Sequence, residues 1–422
     1  MDIFEIEGPV KLNGCIRING SKNAALPVMA AAILAEGKST ICDVPDLADI
    51  NVLKQLLISL GASVQTHDNG EVDIDASVID NPVGEYDIVR KMRASICILG
   101  PLLARCGRAE VSMPGGCAIG DSPVDIHLRG LRELGADIHL KNGNIVANAP
   151  KGLKGKQIFL GGPFGSTVLG TANILMAATL AKGTTVIESA ACEPEIADLA
   201  NFLNAMGAKI TGIGSPRLTI EGVSSLSPLK YKIIGDRIEA GTFMVAGAIT
   251  QGQVKLHNFD LDHMVAVVDR LESIGVTVDR TDDGCVVSRK GPLKPADITT
   301  QTYPGFPTDL QAQLMVLLAH AEGNSIVTEK IFPDRFMHVA ELNRMAANIR
   351  KEGPTAIIAG VNNLVAAPVM ASDLRASAAL VLAAMAAEGK TIINRVYHID
   401  RGYEHIEEKL NAAGAKITRK KV

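Results

Sequence analysis

A sixfold internal repeat constrains this chain more than any other feature. A Leu-rich helical phrase that ends in Gly and runs into a short β-branched stretch occurs as LISLGASV, LRELGADI, LNAMGAKI, LESIGVTV, a degenerate NIRKEGPTAI and LNAAGAKI. Its glycines are Gly61, Gly135, Gly207, Gly275, Gly353 and Gly414. A second phrase alternates with it: AAILAEGKSTI, GPLLARCGRAEV, MAATLAKGTTVI, VAGAITQGQVKL, VLLAHAEGNSIV and AAMAAEGKTII. Here the glycines are Gly37, Gly107, Gly183, Gly252, Gly323 and Gly389. Both markers recur about every 70 residues, a period suited to a βαβ-based subdomain and too long for a solenoid turn.

Glycine just past a helix supplies the left-handed cap that lets the chain turn into a strand. Each unit therefore reads strand, helix, strand, helix and then a strand pair such as GNIVANAP or DDGCVVSRK. The helices NAALPVMAAAIL, LQAQLMVLLAHA and ASAALVLAAMAA are apolar on every side, which places them inside a core. The expected fold is α/β: a two-domain inside-out α/β barrel made of six βαβαββ units, with sheets outside buried helices. The polar stretch SSLSPLKYK suggests three units per domain. One domain would span 22–232. The other would combine 1–21 with 233–422, closed by the N-terminal strands, since KLNGCIRINGS resembles the strand segments LKGKQIFLGG and LKYKIIGD.

Composition narrows the function classes. Hydrophobic residues make up 47% of the 422-residue chain, which excludes extended disorder. The net charge of −4, the absence of Trp and an aromatic content of 3% argue against nucleic acid as a partner. No run of 18 uncharged apolar residues occurs, so no membrane span is expected. The acidic start MDIFEIEGPV lacks the basic region of a secretory leader. Seven cysteines, an odd number with no CxxC pair, read as reduced thiols in a cytoplasmic protein. Neither a disulfide framework nor a metal site is expected, and no HExxH spacing occurs.

The repeat also shows where polar residues break an apolar pattern. Fourteen to sixteen residues before the second marker's glycine stand Lys22, Arg93, Thr167, Arg237, Asp309 and Arg375, each where a loop should enter a buried helix. Ten to twelve residues after it stand Asp49, Cys117, Glu193, Asp262, Arg335 and Arg401. Equivalent positions in pseudo-symmetric units point to equivalent places, so these groups are expected to ring an interdomain cleft. Helix N-termini favour anions. Lys22, Arg93, Arg335, Arg375 and Arg401 would make that cleft cationic on a protein of net negative charge. The expected ligand is small and heavily anionic. For any single residue the ordinary alternative, a surface or capping role, stands beside this reading.

Other features carry less. EGKST at 36–40 hints at a phosphate loop, but the required glycine is Ala32. His127, His320 and His338 lack metal-ligand spacing and read as satisfied polar or surface residues. The tail segment YEHIEEKL reads as a solvated face. The Gly- and Pro-rich stretch MPGGCAIGDSP (113–123) differs: a thiol, Cys117, on such a loop is a candidate reactive group on a lid.

Taken together, GSKNAALP (20–27), MRASI (92–96), PGGCAIG (114–120), PVDIH (123–127), FPTDLQAQ (306–313), DRFMHV (334–339), SDLRAS (372–377) and YHIDRGYEHIEEKL (397–410) resemble the UDP-N-acetylglucosamine 1-carboxyvinyltransferase family over essentially the whole chain. The related EPSP synthase shares the repeat fold but lacks the PGGC loop. The resemblance implies transfer of the enolpyruvyl group of phosphoenolpyruvate to the 3-hydroxyl of UDP-N-acetylglucosamine, with release of phosphate. This is the first committed step of peptidoglycan synthesis. It implies Lys22, Asn23, Arg335, Arg375 and Arg401 around phosphoenolpyruvate. For the UDP-sugar it implies Arg93, Ser122, Pro123, Val124, Asp125, Thr167, Val168, Leu169, Asp309 and Ile331. Catalysis would fall to Asp309 as base and Cys117 as proton donor, with Lys22 and Arg401 assisting. The thiol implies fosfomycin sensitivity. No cofactor and no metal are implied.

Three positions depart from the family pattern: Ser122, Gly165 and Ala48 stand where a basic residue is usual. A charge-assisted hydrogen bond is worth about 1.5–3 kcal/mol. Two other readings therefore stay open, an enolpyruvyl transferase acting on another nucleotide or sugar, and a non-catalytic UDP-sugar-binding paralogue.

Overall fold

The computed structural model describes residues 2–114, 124–163 and 165–421. The chain forms two compact units, one of residues 2–19 with 235–421 and the other within 20–234. Among the described residues each has its own apolar core and three four-stranded sheets.

Every sheet follows one plan. A short edge strand runs parallel to the strand after the buried helix, and two antiparallel strands complete the sheet, a hairpin in five cases and the two terminal strands of the chain in the sixth. In one of them the order is Gln157–Phe159, Thr184–Glu188, Arg217–Glu221, Lys209–Thr211. Ile158 pairs with Ile187 and Ile187 with Leu218, and all three are buried. Strand alternation thus turns one face of the sheet inward and leaves the other polar.

In the unit 20–234 the inner helices are Lys22–Ala31, Leu99–Cys106 and Val168–Ala178. In the other they are Arg237–Ile249, Gln311–Leu318 and Leu374–Ala386. Gln311–Leu318 buries all eight of its residues. Helices this apolar can only sit inside. Within each unit they pack on one another, beneath the sheets.

The N-terminal segment belongs to the unit of residues 235–421. Asp2–Gly8 lies between Gly389–Asn394 and Ile417–Lys421, antiparallel to both. Asn13–Arg17 is the parallel edge strand beside Gln253–His257. The matching edge strand in the other unit is Lys230–Lys232, parallel to Lys38–Cys42. The chain crosses between units at Asn19–Gly20 and Ile234–Gly235. Both crossings need glycine: a Cβ would lie 2.0 Å from the Asp43 carbonyl oxygen at Gly20 and 2.1 Å from that of Asn258 at Gly235.

Two sequence expectations are corrected. Gly61, Gly135, Gly207, Gly275 and Gly414 have positive φ just after their helices, but Gly353 is no helix cap. It lies in the turn joining strands Asn348–Glu352 and Thr355–Ala359. The fifth helix, His338–Arg344, is ended instead by Ala346 at φ +67°, which evens the spacing to Gly275 and Gly414. The repeat survives a non-glycine cap because the following strand is paired regardless. The tail segment is also not a solvated face: Tyr403, Ile406, Glu407 and Leu410 are buried. Lys409 reaches inward to the buried Glu239 at 2.7 Å. Among the described residues no helix is long and apolar enough to cross a membrane.

Candidate active site

Counting from the glycines lands on helix N-termini. Lys22 and Arg237 open their helices, and Arg93 opens the 3-10 turn Arg93–Ile98. Thr167 is the N-cap of Val168–Ala178, its hydroxyl accepting from the Gly170 N–H at 3.2 Å. Asp309 lies in the 3-10 turn Thr308–Leu310, and Arg375 is the second residue of its helix. Thr167 meets a free helix N–H with an accepting hydroxyl, whereas Lys22 and Arg375 are donor-only cations at the positive end of a helix and are held there by carboxylates, Asp49 and Asp309.

In the unit 235–421 two of these residues, Asp309 and Arg375, converge with Arg335. Arg335 Nη1 donates to Asp309 Oδ1 at 2.7 Å. Arg375 reaches Asp309 Oδ2 through Nε at 3.2 Å and Nη2 at 3.1 Å. Arg375 is only 2% exposed and its guanidinium lies over the Tyr403 ring, 5.3 Å from the centroid. Its Nη1 is buried with no hydrogen-bond partner among the described residues. A buried guanidinium donor left unpaired is costly, and the arrangement invites an anion. Burial keeps the Tyr403 hydroxyl above the ordinary phenol pKa, so it stays protonated. That hydroxyl lies 2.8 Å from Thr242 Oγ1, and Gln313 Nε2 donates to the Asp309 carbonyl at 2.9 Å. Ile331 is half-buried in the turn before Arg335. Arg401 closes the turn Val396–Arg401, which packs on the helix carrying Arg375.

In the unit 20–234 Lys22 is buried and pairs with Asp49 at 3.1 Å. Asn23 and Arg93 are half-buried beside their helix starts. Val124 precedes the helix Asp125–Glu133, whose His127 is buried and bonded to the Asn173 amide at 2.9 Å. Burial and then Arg93 push its pKa down to about 4. His338 is likewise buried, its Nε2 3.2 Å from Met315 Sδ, with its pKa lowered to about 4 chiefly by burial. Neither has a surface role. Val168 and Leu169 form the first turn after Thr167. Glu193 caps Pro194–Ala205 and is buried.

Not every counted position joins the group. Asp262 is an exposed partner of Arg280. Cys117, Ser122 and Pro123 lie outside the described residues. Of the departures, Ala48 opens the helix whose Asp49 holds Lys22. Gly165 has φ +101° in a turn closed by its bonds with Gly162. A lysine there would be strained, so backbone conformation sets that residue. Sequence reading missed Thr308, Gln313, Glu329 and Tyr403. Two glutamines within the otherwise apolar LQAQLMVLL were the available signal for Gln313.

Residues 6–410 match the family EPSP synthase (3-phosphoshikimate 1-carboxyvinyltransferase), and the chain belongs to it. Within this class, it is 53% identical over 419 residues to the UDP-N-acetylglucosamine 1-carboxyvinyltransferase of Methylacidiphilum infernorum, covering 99% of each chain. It is 53% identical over 421 residues to that of Trichlorobacter lovleyi, again covering 99% of each. Among solved structures, the enolpyruvyl transferase NikO from Streptomyces tendae superposes with a TM-score of 0.90 at 25% identity, over 99% of this chain and 98% of that one. EPSP synthase from Acinetobacter baumannii shares the fold with a TM-score of 0.78 at 20% identity, with both chains fully covered.

Proposed function

We propose that this protein transfers the enolpyruvyl group of phosphoenolpyruvate to the 3-hydroxyl of UDP-N-acetylglucosamine and releases phosphate. The observation that carries the site reading is the Asp309 carboxylate held by Arg335 and Arg375, at 2.7 and 3.1 Å. The 53% identity to the two carboxyvinyltransferases supports this acceptor over another sugar.

The chemistry uses each group in turn. The sugar hydroxyl bonds to C2 of phosphoenolpyruvate as a proton is added to C3, giving a tetrahedral adduct. Loss of a C3 proton with phosphate then leaves the enolpyruvyl ether. Asp309 takes the hydroxyl proton. A carboxylate held by two guanidiniums is a weak base, so a substrate anion that takes over Arg335 and Arg375 also frees Asp309 to act. Arg375 Nη1, buried and without a geometric hydrogen-bond partner among the described residues, is a donor placed for that anion. Lys22, Asn23 and Arg401 complete the phosphoenolpyruvate set, since fixed cations stabilise charge developing on the leaving phosphate. Cys117 supplies the C3 proton and is the target of fosfomycin. Arg93, Ser122, Pro123, Val124, Asp125, Thr167, Val168, Leu169 and Ile331 hold the UDP-sugar. In the cell this is the committed step of peptidoglycan synthesis, in the cytoplasm, and so bears on cell division and shape.

Steady-state phosphate release with phosphoenolpyruvate and UDP-N-acetylglucosamine, set against other uridine nucleotides, tests the proposal. Absence of turnover with the amino sugar refutes it. An active wild type with a dead Asp309→Ala removes the non-catalytic reading.

A further inference from the structure

The least expected side chain in the unit 235–421 is Glu329, a carboxylate with 0% exposure at the end of the strand Asn324–Thr328. Glutamate is almost never fully buried without a charged partner. Among the described residues Glu329 makes no ion pair. It takes four hydrogen bonds instead. Oε1 accepts from Thr300 Oγ1 at 2.7 Å and from the backbone N–H groups of Ile331 at 2.8 Å and Phe332 at 3.0 Å. Oε2 accepts from Thr308 Oγ1 at 2.9 Å.

The direction of each hydroxyl follows from its other partner. Thr300 Oγ1 already accepts the Lys330 N–H at 2.9 Å. Thr308 Oγ1 accepts from Arg335 Nη1 at 3.0 Å. Both hydroxyl hydrogens therefore point to Glu329. All four contacts are donors to an acceptor-only group, as an ionised carboxylate requires.

This network ends on the proposed site. Arg335 Nη1 is shared between Thr308 Oγ1 and Asp309 Oδ1, at 3.0 and 2.7 Å. The Arg335 guanidinium also lies over the Phe332 ring, 5.8 Å from the centroid, and the Phe332 N–H is bonded to Glu329. Glu329 thus holds Arg335 by two routes, the Thr308 hydroxyl and the Phe332 ring. The Ile331 N–H fixes the same turn.

We propose that Glu329 is a positioning residue for this transferase, setting the Arg335 guanidinium through Thr308 and Phe332. The proposal rests on the assignment of Arg335 to the substrate site. Glu329→Gln keeps the shape but puts two donors where an acceptor stood, so the Thr308 hydroxyl can no longer both receive from Arg335 and donate inward.

The test measures kcat/KM for phosphoenolpyruvate, with thermal unfolding as the control for folding, in Glu329→Gln, Thr308→Val, the double variant, Thr308→Ser and Arg335→Ala. Glu329→Gln and Thr308→Val should each lower kcat/KM about tenfold or more. The double variant should lose little beyond either single change, because both cut one relay. Thr308→Ser, which keeps the hydroxyl, should retain near-wild-type kinetics. Additive losses, or folded variants with wild-type kinetics and only a lowered Tm, overturn the proposal. If Glu329→Gln does not fold, the Thr308→Val and Thr308→Ser pair decides: equal kinetics in the two refute it. A fully active Arg335→Ala places the failure in the site assignment. A dead Arg335→Ala beside unaffected Glu329→Gln and Thr308→Val places it in the relay alone.

Discussion

Removing the Asp309 side chain should weaken the empty protein and tighten its grip on small anions. Asp309→Ala leaves Arg335 and Arg375 facing each other without the carboxylate they now share. Arg375 is 2% exposed and cannot turn to water for compensation. Breaking a buried pair by removing one partner costs about 3–5 kcal/mol. Asp309 itself retains 27% side-chain exposure, so solvent screens part of the effect and about 2–3 kcal/mol is the better figure. For a unit of this size that corresponds to a Tm lower by roughly 5–10 °C. Phosphoenolpyruvate should restore more stability to the variant than to the wild type, since the anion no longer competes with an internal carboxylate. Turnover should vanish, because no base remains. The assay is thermal unfolding of both proteins with and without phosphoenolpyruvate, beside phosphate release. A variant Tm within a degree of wild type, or a smaller ligand-induced shift than wild type, would show that Asp309 does not neutralise the two arginines.

Three further outcomes follow from particular residues. Ala346→Gly should raise stability by about 0.5–1 kcal/mol, because Ala346 is exposed and held at φ +67° and glycine removes the left-handed strain at some cost in unfolded-state entropy; urea unfolding showing a loss refutes the cap assignment. Burial raises the Asp198 pKa to about 6 from the ordinary 3.8, with the Tyr231 hydroxyl 2.7 Å away working the other way. A folded pKa above the unfolded one means that stability is complete below pH 4 and is lost as pH rises through 6. The stability of Asp198→Asn relative to wild type should therefore improve by up to ~3 kcal/mol between pH 4 and 7, and a pH-independent difference would contradict this. Cys117→Asp should keep turnover through another proton donor and lose covalent labelling by fosfomycin; a labelled variant would refute the role given to the thiol.

Much of the fold was legible because its cues are local. A glycine that must take positive φ, a helix apolar on all sides and a strand pattern of period two each act within a few residues, and six repetitions average out the noise. The same locality explains the misplaced fifth marker. Gly353 is a hairpin glycine in a tempting sequence context, whereas Ala346 caps the helix without a glycine to announce it. The tail helix misled for a related reason. Its charges suggested water, but Lys409 and Glu407 are spent on inward partners, Glu239 and Arg419.

The sequence alone therefore determined the sixfold plan and the helix entrances at which Lys22, Arg93, Thr167, Arg237, Asp309 and Arg375 stand. Tertiary structure decided which of them meet. The Asp309–Arg375 bond joins residues 66 positions apart, and strand Asp2–Gly8 pairs with Ile417–Lys421 at the other end of the chain. Asp262 occupies a repeat position equivalent to Arg335, yet faces water beside Arg280. No rule of short range separates those two positions. Glu329 shows the limit most sharply, since a glutamate reads as surface until four donors from three segments of chain are seen to enclose it. Backbone preference propagates along the chain. The energy of a buried charge depends on everything that folds around it, and it exists only once the fold is complete.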